Sequence, residues 1–99
     1  MATRTHTTHG NVFMDLGFSP EEATNLKIRS DLIICLSELI RKRGLTQARA
    51  ATLFGVNQPR VSDLVRGKID RFSVDTLIAM LGHAGMEVSV VTRKRRRVA

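Results

Sequence analysis

Between residues 19 and 85 the apolar positions recur at helical spacing, and each run is bracketed by a residue that starts a helix and one that stops it. Ser19 is placed to cap the first run, Pro20 suits the first helical position, and Glu22 completes a capping box. Leu32, Ile33, Leu36, Leu39 and Ile40 then share one face. Arg41, Lys42 and Arg43 suit the negative end of the helix dipole, and Gly44 supplies a left-handed stop. Pro20–Arg43 reads either as one helix or as two meeting near Ser30 and Asp31. Thr46 caps a second, short helix through Phe54, with Ala50, Ala51, Leu53 and Phe54 facing inward and Gly55 ending it. Asn57 caps a third, Gln58 to Arg66, with Pro59 in its first turn and Gly67 closing it. Ser73 caps a fourth, in which Val74, Leu77, Ile78 and Leu81 follow i, i+3, i+4, i+7. Gly82 and Gly85 weaken its end, which His83 decorates.

Two stretches break the helical rhythm. Met86 to Thr92 (MEVSVVT) alternates with Val88, Val90 and Thr92 on one face and predicts a strand. A lone strand leaves its edges unpaired, so it needs a partner: either the Asn11–Phe13 stretch or the same strand of a second subunit. Asn11 to Phe18 (NVFMDLGF) predicts an extended piece or a single helical turn. Met1 to Gly10, rich in Thr and His with no apolar period, reads as a flexible arm. The expected organisation is an arm over 1–10, one domain over 11–92 and a basic tail over 93–99. Cys35 is expected as a buried core thiol, and Met14, Met80 and Met86 as core filler.

Composition narrows the function classes. At 99 residues, 42% hydrophobic and 25% charged, the chain suits one globular domain with a modest core. Four Phe with no Trp or Tyr argue against stacking platforms for single-stranded nucleic acid. One Cys excludes an internal disulfide and fits a reducing compartment. The apolar runs are short of a membrane span, and residues 1–10 lack the apolar stretch of a signal peptide, so a cytoplasmic, nucleoid-associated protein is expected. No nucleophile–base pair, phosphate loop or carboxylate constellation is present, and neither enzymatic activity nor a cofactor is expected. His6 and His9 have metal-like spacing, but nothing nearby completes a site.

The net charge of +7 is unevenly distributed. Residues 41–71 carry Arg41, Lys42, Arg43, Arg49, Arg60, Arg66, Lys68 and Arg71 against Asp63 and Asp70, a net +6. Arg93, Lys94, Arg95, Arg96 and Arg97 add +5, while residues 11–40 are net −3. The tail reads as a solvated segment, a phosphate clamp, or a binding element for RNA or an acidic protein surface.

The central basic block coincides with a steric pattern. In Gln47 to Arg66, small Ala51 stands where a second helix would press on the first, and Gly55 follows four positions later to make the turn. Val56 anchors that turn, and Val61, Leu64 and Val65 plug into the core. These are the requirements of a helix-turn-helix, whose second helix lies in the DNA major groove. Over Leu32 to Leu81 the chain resembles the XRE (lambda-repressor-like) helix-turn-helix family. More narrowly, NVFMDLGF, EEATNLKIRSDL and RGLTQARAATLFGVNQPRVSDLVRGKIDRFSVDTLIAML resemble HigA-type antitoxins of type II toxin-antitoxin systems. The resemblance implies an all-α, lambda-repressor-like bundle of four to five helices with a short C-terminal β-strand paired across a dimer. It also implies a homodimer on double-stranded DNA with a palindromic operator, and a RelE/HigB-like ribonuclease toxin as partner. A solitary or phage-type repressor without a toxin shares the same module.

Winding Gln58–Arg66 at about 100° per residue turns Val61, Leu64 and Val65 inward. Pro59, Ser62, Asp63 and Arg66 then point outward, with Gln58 and Arg60 on the flanks. The resemblance places Gln58, Pro59 and Asp63 where relatives touch bases. Chemically, Gln58 suits adenine and Arg60 suits guanine. Asp63 either accepts from a cytosine amine or orients Arg60 or Arg66 through a salt bridge. The orienting role is favoured, because an unpaired carboxylate near phosphates is costly. Gln47 opens a helix whose free N–H groups favour a phosphate. Arg49 occupies a first turn where dipole logic favours an acid, which points to a phosphate opposite it. Asn57 at the cap and Lys68 after the helix complete the expected DNA-binding set, and Arg43 and Arg71 read as backbone contacts or as ordinary surface charges. Asn11 to Arg29, with Asp15, Glu21 and Glu22, is the candidate toxin face or a plain cover for the core.

Overall fold

The structure, a computed structural model, describes residues 11–94. They form five α-helices and one 3-10 turn, in the order α1 (Val12–Asp15), α2 (Pro20–Arg43), α3 (Gln47–Phe54), α4 (Gln58–Val65), the turn Ile69–Arg71, and α5 (Val74–His83). The arm and the Arg95–Arg97 part of the tail lie outside the described residues.

Every expected cap forms. Ser19 and Glu22 make the reciprocal capping box of α2, while Thr46, Asn57 and Ser73 each accept a hydrogen bond from the backbone N–H three residues on. With no start or stop signal inside it, Pro20–Arg43 is one continuous helix of 24 residues, ended by Gly44 in the left-handed conformation. Asn11 to Phe18 adopts the single-turn alternative. The Asn11 side chain accepts from the Phe13 N–H at 3.0 Å and donates to the Ala23 carbonyl at 2.9 Å, which fastens α1 to the start of α2.

The core gathers Ile33 and Leu36 of α2, Ala50, Ala51 and Phe54 of α3, Val61 and Leu64 of α4, Phe72, and Leu77, Met80, Leu81 and Ala84 around α5. Leu32, Cys35, Leu39, Ile40 and Leu53 are half-buried against it, so Cys35 is a rim residue rather than a fully buried thiol. Arg29 secures the 3-10 turn. Its guanidinium donates to the carbonyls of Ile69 at 3.2 Å and Phe72 at 3.3 Å, while its Nε donates to Asn25 at 2.7 Å.

Four expectations need correction. Met86–Thr92 is in no strand among the described residues, because Asn11–Phe13, the in-chain partner considered, starts α1 instead and a strand cannot exist without a ladder. Val65 is 44% exposed, since it stands about 40° round from Val61 on the side away from Leu64 and so at the edge of the buried stripe. Ile78 is 37% exposed because α5 buries a stripe centred between Leu77 and Ala84, roughly 110° from it. Met80 fills the core as expected, but Met14 and Met86 are exposed.

Candidate nucleic-acid interface

The interface is built on the turn between α3 and α4. Gly55 ends α3 with φ +69°, a conformation that penalises any side chain. A Cβ there would also stand 3.0 Å from the His83 ring, so α5 closes over the back of the turn. Val61 and Leu64 are fully buried, which fixes the rotation of α4 about its own axis. Gln58 and Pro59 in the first turn and Arg66 after the last are exposed as a consequence, with Ser62 and Asp63 half-exposed between them.

On the flank of that outer face lies a charged cluster. Arg60 donates from Nη1 to the Arg71 carbonyl at 2.9 Å, and its guanidinium sits 5.2 Å from the centre of the Phe72 ring. Asp63 faces Arg71 at 3.5 Å and Lys68 at 3.8 Å. The salt-bridge role of Asp63 therefore has other partners than Arg60 or Arg66. Arg60 lies over Phe72, and Arg66, at the C-cap, is exposed and makes no ion pair among the described residues. The signal for Arg71 lay outside the twenty-residue motif, which is why its role could not be read from the motif alone.

The outer end of α3 carries Arg49, exposed and with no side-chain hydrogen bond or ion pair among the described residues. The first turn of α3 contains no acid, so nothing local offsets the repulsion between Arg49 and the positive end of the helix. The Asn57 side-chain oxygen is committed to the Arg60 N–H at 2.9 Å, leaving its amide nitrogen outside the cap.

The family described as "Helix-turn-helix domain" matches residues 12–93. A solved structure whose description assigns it to the XRE family of transcriptional regulators superposes with a TM-score of 0.71 at 34% sequence identity, covering 79% of this chain and 91% of that one. This chain belongs to the XRE-type helix-turn-helix family. No curated protein matches it significantly. In this XRE-type protein the matched span takes in α1 and the irregular segment after α5.

Of the candidate residues in this XRE-type protein, Gln58, Pro59, Ser62, Asp63 and Arg66 share the outward side of α4 or its ends, with Arg60 on the flank over Phe72. Gln47 and Arg49 lie at the start of α3, Asn57 at the cap of α4, and Lys68 just before the 3-10 turn. Among the described residues, no helix is long and apolar enough to cross a membrane.

Proposed function

We propose that this chain is a sequence-specific DNA-binding transcriptional regulator, with α4 entering the major groove and α3 crossing the backbone. The observation that carries the reading is the outward face of α4, held rigidly by buried Val61 and Leu64 within a net +6 segment. Gln58 and Arg60 read base edges, while Gln47, Arg49, Asn57, Arg66 and Lys68 contact phosphates, with Pro59 and Ser62 packing against the groove. Selection of bound duplexes from a random pool at defined salt tests it. A recurrent, two-fold symmetric sequence is expected, and an unenriched pool overturns the reading.

Arg49→Ala should weaken all duplexes alike and make the salt dependence shallower by about one unit of slope. Titration at several salt concentrations checks this; a change confined to one base position would make Arg49 a base reader.

The regulator acts as a dimer. Val88 is half-buried against the core, whereas Val90 and Val91 are 76% and 84% exposed. Val88, Ser89, Val90 and Val91 line a groove together with Ile28, Leu32, Val74 and Ile78, and the alternating, β-branched sequence of this segment suits pairing with a second copy. A dimer would place two α4 helices on half-sites roughly 34–36 Å apart. Val90→Asp together with Val91→Asp should shift the protein to monomer in sedimentation velocity and abolish preference for symmetric sites. An unchanged dimer would place the interface elsewhere.

A second reading makes the chain a HigA-type antitoxin that represses its own operon and neutralises a RelE/HigB-like ribonuclease toxin. Its support is the segment from α1 to the start of α2, where Val12, Met14, Leu16 and Phe18 are exposed and Phe18 lies beside Glu21 and Glu22, an apolar and acidic stretch suited to a basic partner. A neighbouring reading frame for a basic chain of about 100 residues would favour it. Without one, a solitary regulator is the better description.

A further inference from the structure

We infer that Asp63 is a positioning residue that aims Arg71 and Lys68 at the DNA backbone and reads no base. The inference rests on the DNA-binding reading above and adds to it a phosphate clamp outside the helix-turn-helix motif.

Asp63 stands in the last turn of α4, where the helix dipole disfavours a negative charge, and beside a surface that must approach phosphates. Both effects work against a carboxylate here unless cations hold it. Two do. The carboxylate is flanked by Arg71 at 3.5 Å and Lys68 at 3.8 Å, and its side chain is 20% exposed while those of Arg71 and Lys68 are 55% and 37% exposed. The pair thus points the cations outward from a carboxylate set further in. That is the arrangement of an orienting group, since a base reader would itself be the outermost atom.

The backbone of the same segment is equally constrained. The Lys68 N–H donates to the Asp63 carbonyl at 3.0 Å, and the Arg71 N–H donates to the Lys68 carbonyl at 3.0 Å. The Arg71 carbonyl receives Arg60 of α4 at 2.9 Å, and Arg29 of α2 holds the carbonyls of Ile69 and Phe72. Arg71 therefore presents its charge from a turn held by hydrogen bonds from both α2 and α4. A long cation held in this way loses less conformational freedom when it meets a phosphate than one on a free loop.

The alternatives predict opposite signs. If Asp63 were only a negative charge near DNA, Asp63→Asn would tighten binding and steepen the salt dependence. If it read a cytosine, Asp63→Asn would change preference at one base position. As a positioning residue, its loss weakens binding to every duplex by roughly two- to fivefold, the range of an exposed ion pair, and makes the salt dependence shallower.

The test titrates the full chain and its Asp63→Asn, Asp63→Glu, Arg71→Ala, Lys68→Ala and Asp63→Asn/Arg71→Ala variants against the duplex selected from the random pool and against a scrambled duplex. Thermal melting of each variant verifies that it is folded at the titration temperature. Uniform weakening in Asp63→Asn, restoration within about twofold by Asp63→Glu, and little further loss when Asp63→Asn is added to Arg71→Ala support the inference. Tighter binding, altered base preference, or losses that add fully in the double variant overturn it. If the unsubstituted chain does not distinguish the two duplexes, the DNA-binding reading itself fails, an outcome separate from all of these.

Discussion

Phe54→Ala is expected to destabilise the domain by about 3–5 kcal/mol, the largest effect of any single truncation in the molecule. Among the described residues, Phe54 is the bulkiest side chain with no exposed surface, and it belongs to the cluster that joins Leu36, Leu64 and Leu77 from three other helices. It stands at the last residue of α3, immediately before the Gly55 turn. Its removal leaves a cavity where α2, α4 and α5 converge, and the neighbouring backbones cannot all collapse into it. Against a total stability of about 5–15 kcal/mol, the loss is a large fraction. For a domain of this size it corresponds to a melting midpoint lowered by roughly 12 °C or more. Denaturant titration should show the midpoint moved with little change in slope. DNA binding should fail in step with unfolding, because the two helices of the motif meet at this residue. A loss below about 1 kcal/mol would mean that the motif does not share the main core.

Arg60→Ala is expected to remove about 1–3 kcal/mol of discrimination at one base position, about five- to 150-fold, while costing less than about 1 kcal/mol of stability. The guanidinium uses one donor on the Arg71 carbonyl and lies against the Phe72 ring, so its fork is held on the flank of α4 with further donors to spare. Such a group meets a guanine edge with less ordering than a mobile side chain requires. Arg60→Lys separates charge from geometry: it should keep affinity for scrambled duplex but lose the preference, because an ammonium cannot make the planar bidentate contact. The measurement is enrichment from a random duplex pool, followed by titration of the preferred sequence and its single-position variants. Uniform weakening with the preference intact would make Arg60 a structural or backbone-contacting residue. The comparison with Arg49→Ala is internal, since that variant should do the reverse.

What could be read from the sequence follows the range of the interactions involved. The caps at Ser19, Thr46, Asn57 and Ser73 act over three residues, and the left-handed stops at Gly44 and Gly55 act on a single backbone position. Signals this local survive in any fold that keeps the helices, and all of them form. Burial of Val61 and Leu64 followed from helical spacing alone, and so did the outward face of α4.

Spacing did not suffice for Val65 and Ile78. Periodicity shows that a helix has an apolar face but not how far that face is rotated against its neighbours, and in α5 the buried stripe turned toward Met80 and Ala84. The strand expected over Met86–Thr92 does not form among the described residues, because β-preference needs a ladder to join and the helices offer none. The charged residues depended most on tertiary structure. Arg29 meets Ile69 and Phe72 across 40 and 43 residues, and Arg60 meets Arg71 across 11. The sequence by itself determined the capped starts of the four longer helices, the turn of the motif and the charge around it, because each depends on a few adjacent residues. Only the tertiary structure decided which arginine braces the fold, which is seated on Phe72 and which is paired with Asp63, since a long cationic side chain takes its place from whatever carbonyl, ring or carboxylate the packed helices bring within reach.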